Sequence, residues 1–172
     1  MVTLPVLVSS VVAVVALVAL SAFFSSSESA VFSLSEEWIQ STAGNGSPDA
    51  LALRDLREDP HRLLVTILVG NNLVNIAVTS IVTLLVAAFV PAGVAVVVTT
   101  LLVSVLVLVF GEIVPKSYGL GHAETWSLRV ARPLSLVERA LGPLIVVFDA
   151  GTRRLARLVG GDGRIEEPYL DD

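Results

Sequence analysis

Two long stretches of this chain carry no charged side chain. No Lys, Arg, Asp or Glu precedes Glu28, and none lies between Arg62 and Glu112, a run of 49 residues. A bilayer core takes about 20 apolar residues per helix. The second stretch is therefore long enough for two spans and a turn. "FVPAGVA" at 89–95 supplies that turn through Pro91 and Gly93. The pattern predicts three membrane helices, at about 4–31, 63–88 and 94–114. The loop between the first two contains "TAGNGSPDA", a flexible turn, and then a short helix that Ser47 caps with Pro48 in its first position. Beyond the third span the pattern turns amphipathic. Trp126, Val130, Leu134, Val137 and Leu141 recur at steps of three or four, and Arg129, Arg132 and Arg139 fall largely elsewhere on the wheel. Juxtamembrane helices are expected at about 34–60 and 120–160, with Pro133 and Pro143 bending or dividing the second. The second is expected to lie in the interface with Arg toward lipid phosphates. A soluble helical hairpin packed on a following domain is the competing reading.

Composition supports an all-α membrane protein. The 172 residues are 54% hydrophobic, too apolar for a soluble domain of this size. The chain has no Cys, which excludes disulfides and thiolate metal sites. The first segment lacks a basic leader, and its apolar run exceeds the usual ~7–15 residues of a signal peptide, so it reads as a retained span. All eleven Lys and Arg lie in the 32–62 loop or after residue 115. The positive-inside rule then puts the loop and the C-terminal part in the cytoplasm and the N-terminus outside. The acidic tail at 161–172 reads as the start of a linker.

Polar groups inside spans are costly without partners, so they carry the information. They form three clusters. Ser21, Ser25 and Glu28 share one face of the first span. Serines often bond back to a carbonyl one turn earlier, but that does not account for Glu28. In "GNNLVN", Asn71 and Asn75 share a face that Thr79 continues, and they read as ligand-lining. Asn72 points elsewhere and reads as a contact between helices. In "FGEIVPK", Glu112 follows Gly111, and Pro115 cannot donate to the Gly111 carbonyl. A freed carbonyl beside a carboxylate suits a hard cation. Such irregular backbone is tolerated in a membrane where it lines a cavity or is buried in protein. The bland alternative pairs Glu112 with Lys116 at i+4. His61 and His122 fall outside the apolar runs and read as surface residues. Ligation by oxygen alone points to Mg²⁺, Ca²⁺ or Na⁺ rather than zinc or copper. No HExxH, GxSxG or paired-Asp motif occurs in the spans, so an enzyme is not expected.

"SAFFSSSESA", "GNNLVN" and "FGEIVPK" resemble the three motifs of the transmembrane domain of the CorB/CorC and CNNM (cyclin M) magnesium transporters. The likeness continues through "ARPL" and "LGPLIVVFD" and covers about residues 5–160. It implies one domain over 1–160, with three membrane helices, a cytoplasmic-side belt of juxtamembrane helices and a homodimer in the plasma membrane. It implies Mg²⁺ efflux, in some members coupled to Na⁺ entry. The family's ion-binding positions match Ser21, Ser25, Asn71, Asn75 and Glu112, with the Gly111 carbonyl added from the reading of the helix break. Glu28, Pro115 and Lys116 are candidates for the ion pathway or a gate. Members normally continue into cytosolic CBS domains that bind ATP-Mg²⁺; this chain stops before them, so nucleotide binding is not carried over. No nucleic-acid partner is expected. A Mg²⁺-sensing regulator or scaffold that conducts nothing would use the same site.

Overall fold

The computed structural model describes residues 3–158, with side chains placed through residue 147. The expected linker at 161–172 and the last residues of the 120–160 stretch lie outside the described residues. Every regular element among them is helical: α1 Leu4–Phe32, α2 Glu36–Ala43, α3 Pro48–Arg57, α4 Pro60–Ala87, α5 Ala92–Val105, a π-helical segment Leu106–Ile113, α6 Val114–Gly121 and α7 Ala123–Leu158. Helices α1 and α4, and the continuous run Ala92–Gly121, are long and apolar enough to cross a membrane.

Local chemistry sets the boundaries. The Ser35 hydroxyl accepts from Trp38 N–H and begins α2, whose first turn holds Glu36 and Glu37 against the helix dipole. The Ser47 hydroxyl accepts from Ala50 N–H and Pro48 opens α3, as the sequence predicts. The Asp59 carboxylate accepts from Arg62 N–H at the start of α4. Between α2 and α3, Gly46 takes φ 70°, a left-handed value that a side chain disfavours.

Three expectations change. The outer turn is closed at residues 88–91, and Gly93 lies inside α5 rather than in the turn. Pro91 is the N-cap, where its missing N–H costs nothing. The third span does not stop near 114. It widens into the π segment, in which Val114 N–H reaches back five residues to Val109 C=O, and then passes Pro115 to Gly121. Pro133 and Pro143 do not divide α7, which stays helical throughout.

The chain reverses between spans, so α2, α3 and α7 gather at the end where α1 and the third span finish and α4 begins. There they share one core with the spans. Phe24 and Val31 of α1, Leu53 and Leu56 of α3, Leu63 and Ile67 of α4, and Val130 and Leu134 of α7 are all buried together. The apolar stripe of α7 therefore faces protein rather than lipid, with Trp126 and Val137 packed at its edges. Arg132 pairs with Asp49 at 2.6 Å, and Arg62 with Glu138, so these arginines clamp the belt. At the other end the outward surface is Val and Leu: Val8, Val12 and Val15 of α1, and Val96, Val97 and Leu101 of α5, are exposed. A surface this apolar is stable only in lipid or against another apolar face.

Candidate cation site

The three spans meet where their residues are smallest. A methyl added to Gly111 would lie 2.8 Å from Ser21 Oγ. At Gly70 it would lie 2.6 Å from the Phe24 ring, and at Gly119 only 2.2 Å from the Ser26 carbonyl oxygen. Gly111, Pro115 and Gly119 recur every four residues and are all buried, so one small-residue ridge of the third span seats against α1. Helix α1 runs antiparallel to α4, and Ser21 faces Asn71 and Asn75 across that contact.

The Ser21 hydroxyl is fully buried. It lies 2.8 Å from Asn71 Oδ1 and 2.9 Å from Asn75 Oδ1. A hydroxyl has one proton, so it donates to one of these oxygens and merely touches the other. Two physical states relieve that contact. In one, a carboxamide turns and its NH₂ donates to Ser21; in the other, a cation sits among the three oxygens. One helical turn toward the belt, the Ser25 hydroxyl is fully buried and has no partner among the described residues, and neither has that of Ser27. Serine back-bonding is thus the exception here. Only Ser26 of this group does it, donating to Phe23 C=O and accepting from Trp126 Nε1 at 3.0 Å.

The structure brings Ser21, Asn71, Asn75 and Gly111 together. It sets Ser25 one turn away, outside hydrogen-bond reach of the two amides. Glu112 adjoins Gly111 in the π segment, is half-buried, and makes no side-chain hydrogen bond or ion pair among the described residues. Its expected i+4 partner, Lys116, is engaged elsewhere: Lys116 Nζ lies 3.2 Å from Glu28 Oε2 on α1. Thr79 does not extend the Asn71–Asn75 stripe. Each four-residue step turns about 40° around the helix, so Thr79 reaches the outer surface, where its hydroxyl donates to Asn75 C=O. Asn72 is exposed on the same outer side of α4. Pro115 removes one amide donor from the third span. With bonds spanning four residues the carbonyl left short is that of Gly111, and with five it is that of Phe110. His122 is exposed and stacks on Tyr118, which meets Trp126 edge-on.

Sequence reasoning missed Gly70, Gly119, Ser27 and the Ser26–Trp126 bond. The four-residue recurrence of small residues from Gly111 to Gly119 was the available signal for the ridge. An open cleft of about 520 Å³ between α3 and α7, bordered by Asp55, Arg132, Glu138 and Arg139, lies in the belt, apart from the oxygen cluster.

The cyclin M transmembrane N-terminal domain family matches residues 12–172. A DUF21 domain-containing chloroplastic protein of Arabidopsis thaliana is 34% identical over 91% of this chain and 23% of its own length. A UPF0053 protein of Haemophilus influenzae is 34% identical, and the UPF0053 inner membrane protein YfjD of Escherichia coli 30% identical, each over 82% of this chain and 33% of the relative. The chain thus spans about a quarter to a third of the length of these curated relatives. With three spans, a helical belt and this match over nearly its full length, the chain is a multi-pass membrane domain that belongs to the cyclin M transmembrane family, which includes the CorB/CorC and UPF0053 proteins.

Proposed function

We propose that this domain binds Mg²⁺ between its three spans and carries it out of the cytoplasm, with Na⁺ as the candidate coupling ion. The observation that carries this reading is the oxygen trio around Ser21, in which one proton serves two contacts of 2.8 and 2.9 Å. A cation resolves that shortage, because all three oxygens become ligands and the hydroxyl proton turns away. Mg²⁺ holds ligands octahedrally at about 2.0–2.1 Å, so adjacent ligand oxygens sit about 2.8–3.0 Å apart. The two contacts of Ser21, at 2.8 and 2.9 Å, are compatible with that spacing. Water completes the shell, since Mg²⁺ dehydrates reluctantly. Neutral ligands keep the binding reversible. Glu112 supplies negative charge from the adjoining turn, and the carbonyl that Pro115 leaves without a donor adds a further oxygen.

The basic residues of the belt favour a cytoplasmic location for that end. The outward face of α4 supports a homodimer: Asn72, Thr79, Ser80 and Thr83 are all exposed there, and Asn72 has no partner among the described residues. Polar side chains at that depth favour a second helix over lipid. The greater length of the relatives supports further domains, of CBS type, in the whole protein.

Mg²⁺ flux in proteoliposomes tests the reading, with size-exclusion elution measured on the same samples. Wild type is expected to move Mg²⁺ saturably, and Glu112→Ala to abolish flux while eluting as the same dimer. Its melting temperature should hold or rise, because an unpaired intramembrane charge is removed. Wild-type flux from Glu112→Ala would remove that residue from the pathway. Saturable Mg²⁺ binding without flux in wild type would instead favour the sensing regulator.

A further inference from the structure

We propose that Glu28 is a second cation station on the belt side of the Ser21 cluster, and that the Lys116 ammonium is its built-in counter-ion, displaced when the transported cation arrives. This rests on the reading of the domain as a cation carrier and adds a step to it. Glu28 stands seven residues from Ser21 on α1, which is about 10.5 Å along the axis and within about 20° of the same direction. A cation leaving the oxygen trio toward the belt meets this carboxylate next. The position already holds a positive charge, Lys116 Nζ at 3.2 Å. Between the two stations lies the Ser25 hydroxyl, fully buried and without a partner among the described residues. Ser25 is four residues from Ser21 and three from Glu28, so it is a stepping oxygen on the same face.

The pair is a choice between partners. Glu112 lies four residues before Lys116 on the same helix, where an ion pair is geometrically available. It is left unpaired, and Lys116 crosses to α1 instead. Gly119 permits that crossing, since its missing side chain lets the third span lie directly against the Ser26 carbonyl of α1. The lysine ammonium is a point charge on a flexible four-carbon stem, so it can swing back to Glu112 without moving the helix. Two carboxylates then share two cations, the metal ion and the ammonium, by turns. With the metal ion near Glu112, Lys116 neutralises Glu28. With the ion at Glu28, Lys116 neutralises Glu112. Neither carboxylate is left bare in a low-dielectric setting, where a lone charge is costly. The tethered charge also limits affinity, which release requires.

The test is Mg²⁺ titration of the full chain in detergent by calorimetry. Lys116→Met is expected to tighten Mg²⁺ binding roughly tenfold or more, because one positive charge leaves the path. Lys116→Arg should stay near wild type. Adding Glu28→Gln to Lys116→Met should return the affinity to the wild-type range. Glu28→Gln alone should weaken binding several-fold, because Lys116 then neutralises Glu112. That variant keeps the test open if Lys116→Met does not fold. A purely structural ion pair would instead lower the melting temperature and leave all affinities alike. An unchanged affinity in Lys116→Met or in Glu28→Gln overturns the second station while leaving the Ser21 site standing. Absence of Mg²⁺ binding in wild type overturns both.

Discussion

Ser21 collects two amide oxygens because the residues around it are small. Gly111 is the neighbour that leaves space for its hydroxyl, and Gly119, further along the same ridge, sets how closely the third span lies on α1. These two glycines differ in what a methyl would meet, so they should fail differently. In Gly119→Ala the methyl meets a backbone carbonyl that cannot rotate away, and overpacking of this kind costs about 1–3 kcal/mol. Its melting temperature in detergent should fall by several degrees. In Gly111→Ala the methyl meets only a hydroxyl, which can turn aside. That variant should stay folded and lose Mg²⁺ affinity. Equal melting losses in both would mean that Gly111 serves packing alone. The shared face of Ser21, Asn71 and Asn75 was legible from helical spacing. The outward drift of Thr79 is implicit in the turn of about 40° at each four-residue step, whereas the partner of Lys116 is illegible, because an i+4 neighbour and a cross-helix neighbour look alike in one dimension.

The third span shows what an element does with a proline that its surroundings will not let it break on. The sequence shows that Pro115 removes a donor. It does not show that the helix answers by widening over Leu106–Ile113 rather than by ending. That choice depends on α1, which holds Gly111 and Gly119 in contact on both sides of the proline. Pro115→Ala restores the missing N–H. The segment should then tighten toward ordinary helix and turn Glu112 relative to Ser21. The expected result is unchanged or raised thermal stability, since a helix-interior proline costs about 3 kcal/mol, together with weaker Mg²⁺ binding. Undiminished affinity would show that the π turn has no part in the site. Helix α7 teaches the same point. Its apolar stripe was legible, but not whether it faced lipid or protein. Only the packing of Val130 and Leu134 on α3 and α4 decides that.

At the scale of the whole molecule, the packed core sits toward the belt end and the site lies at its outer edge. On α1, buried residues begin at Ser21, and the helix before it is largely exposed. The three spans were legible as charge-free runs, and the belt as an amphipathic pattern. The shared core between them was not, because it joins Phe24 to residues more than a hundred positions away. The candidate site thus lies at the edge of the core shared with the belt, and beyond it the apolar helices are largely exposed. The most direct measurement is Mg²⁺ titration by calorimetry on wild type and on the Asn71→Ala/Asn75→Ala double variant, with Zn²⁺ as the control ion. Wild type should bind Mg²⁺ saturably and Zn²⁺ weakly, since the site offers oxygens and no thiol or imidazole. The double variant should fold, because a buried Ser21 hydroxyl can bond back to its own helix, and should lose at least roughly tenfold in Mg²⁺ affinity. A double variant that binds Mg²⁺ as tightly as wild type, or a wild type that binds Zn²⁺ and ignores Mg²⁺, would contradict the site.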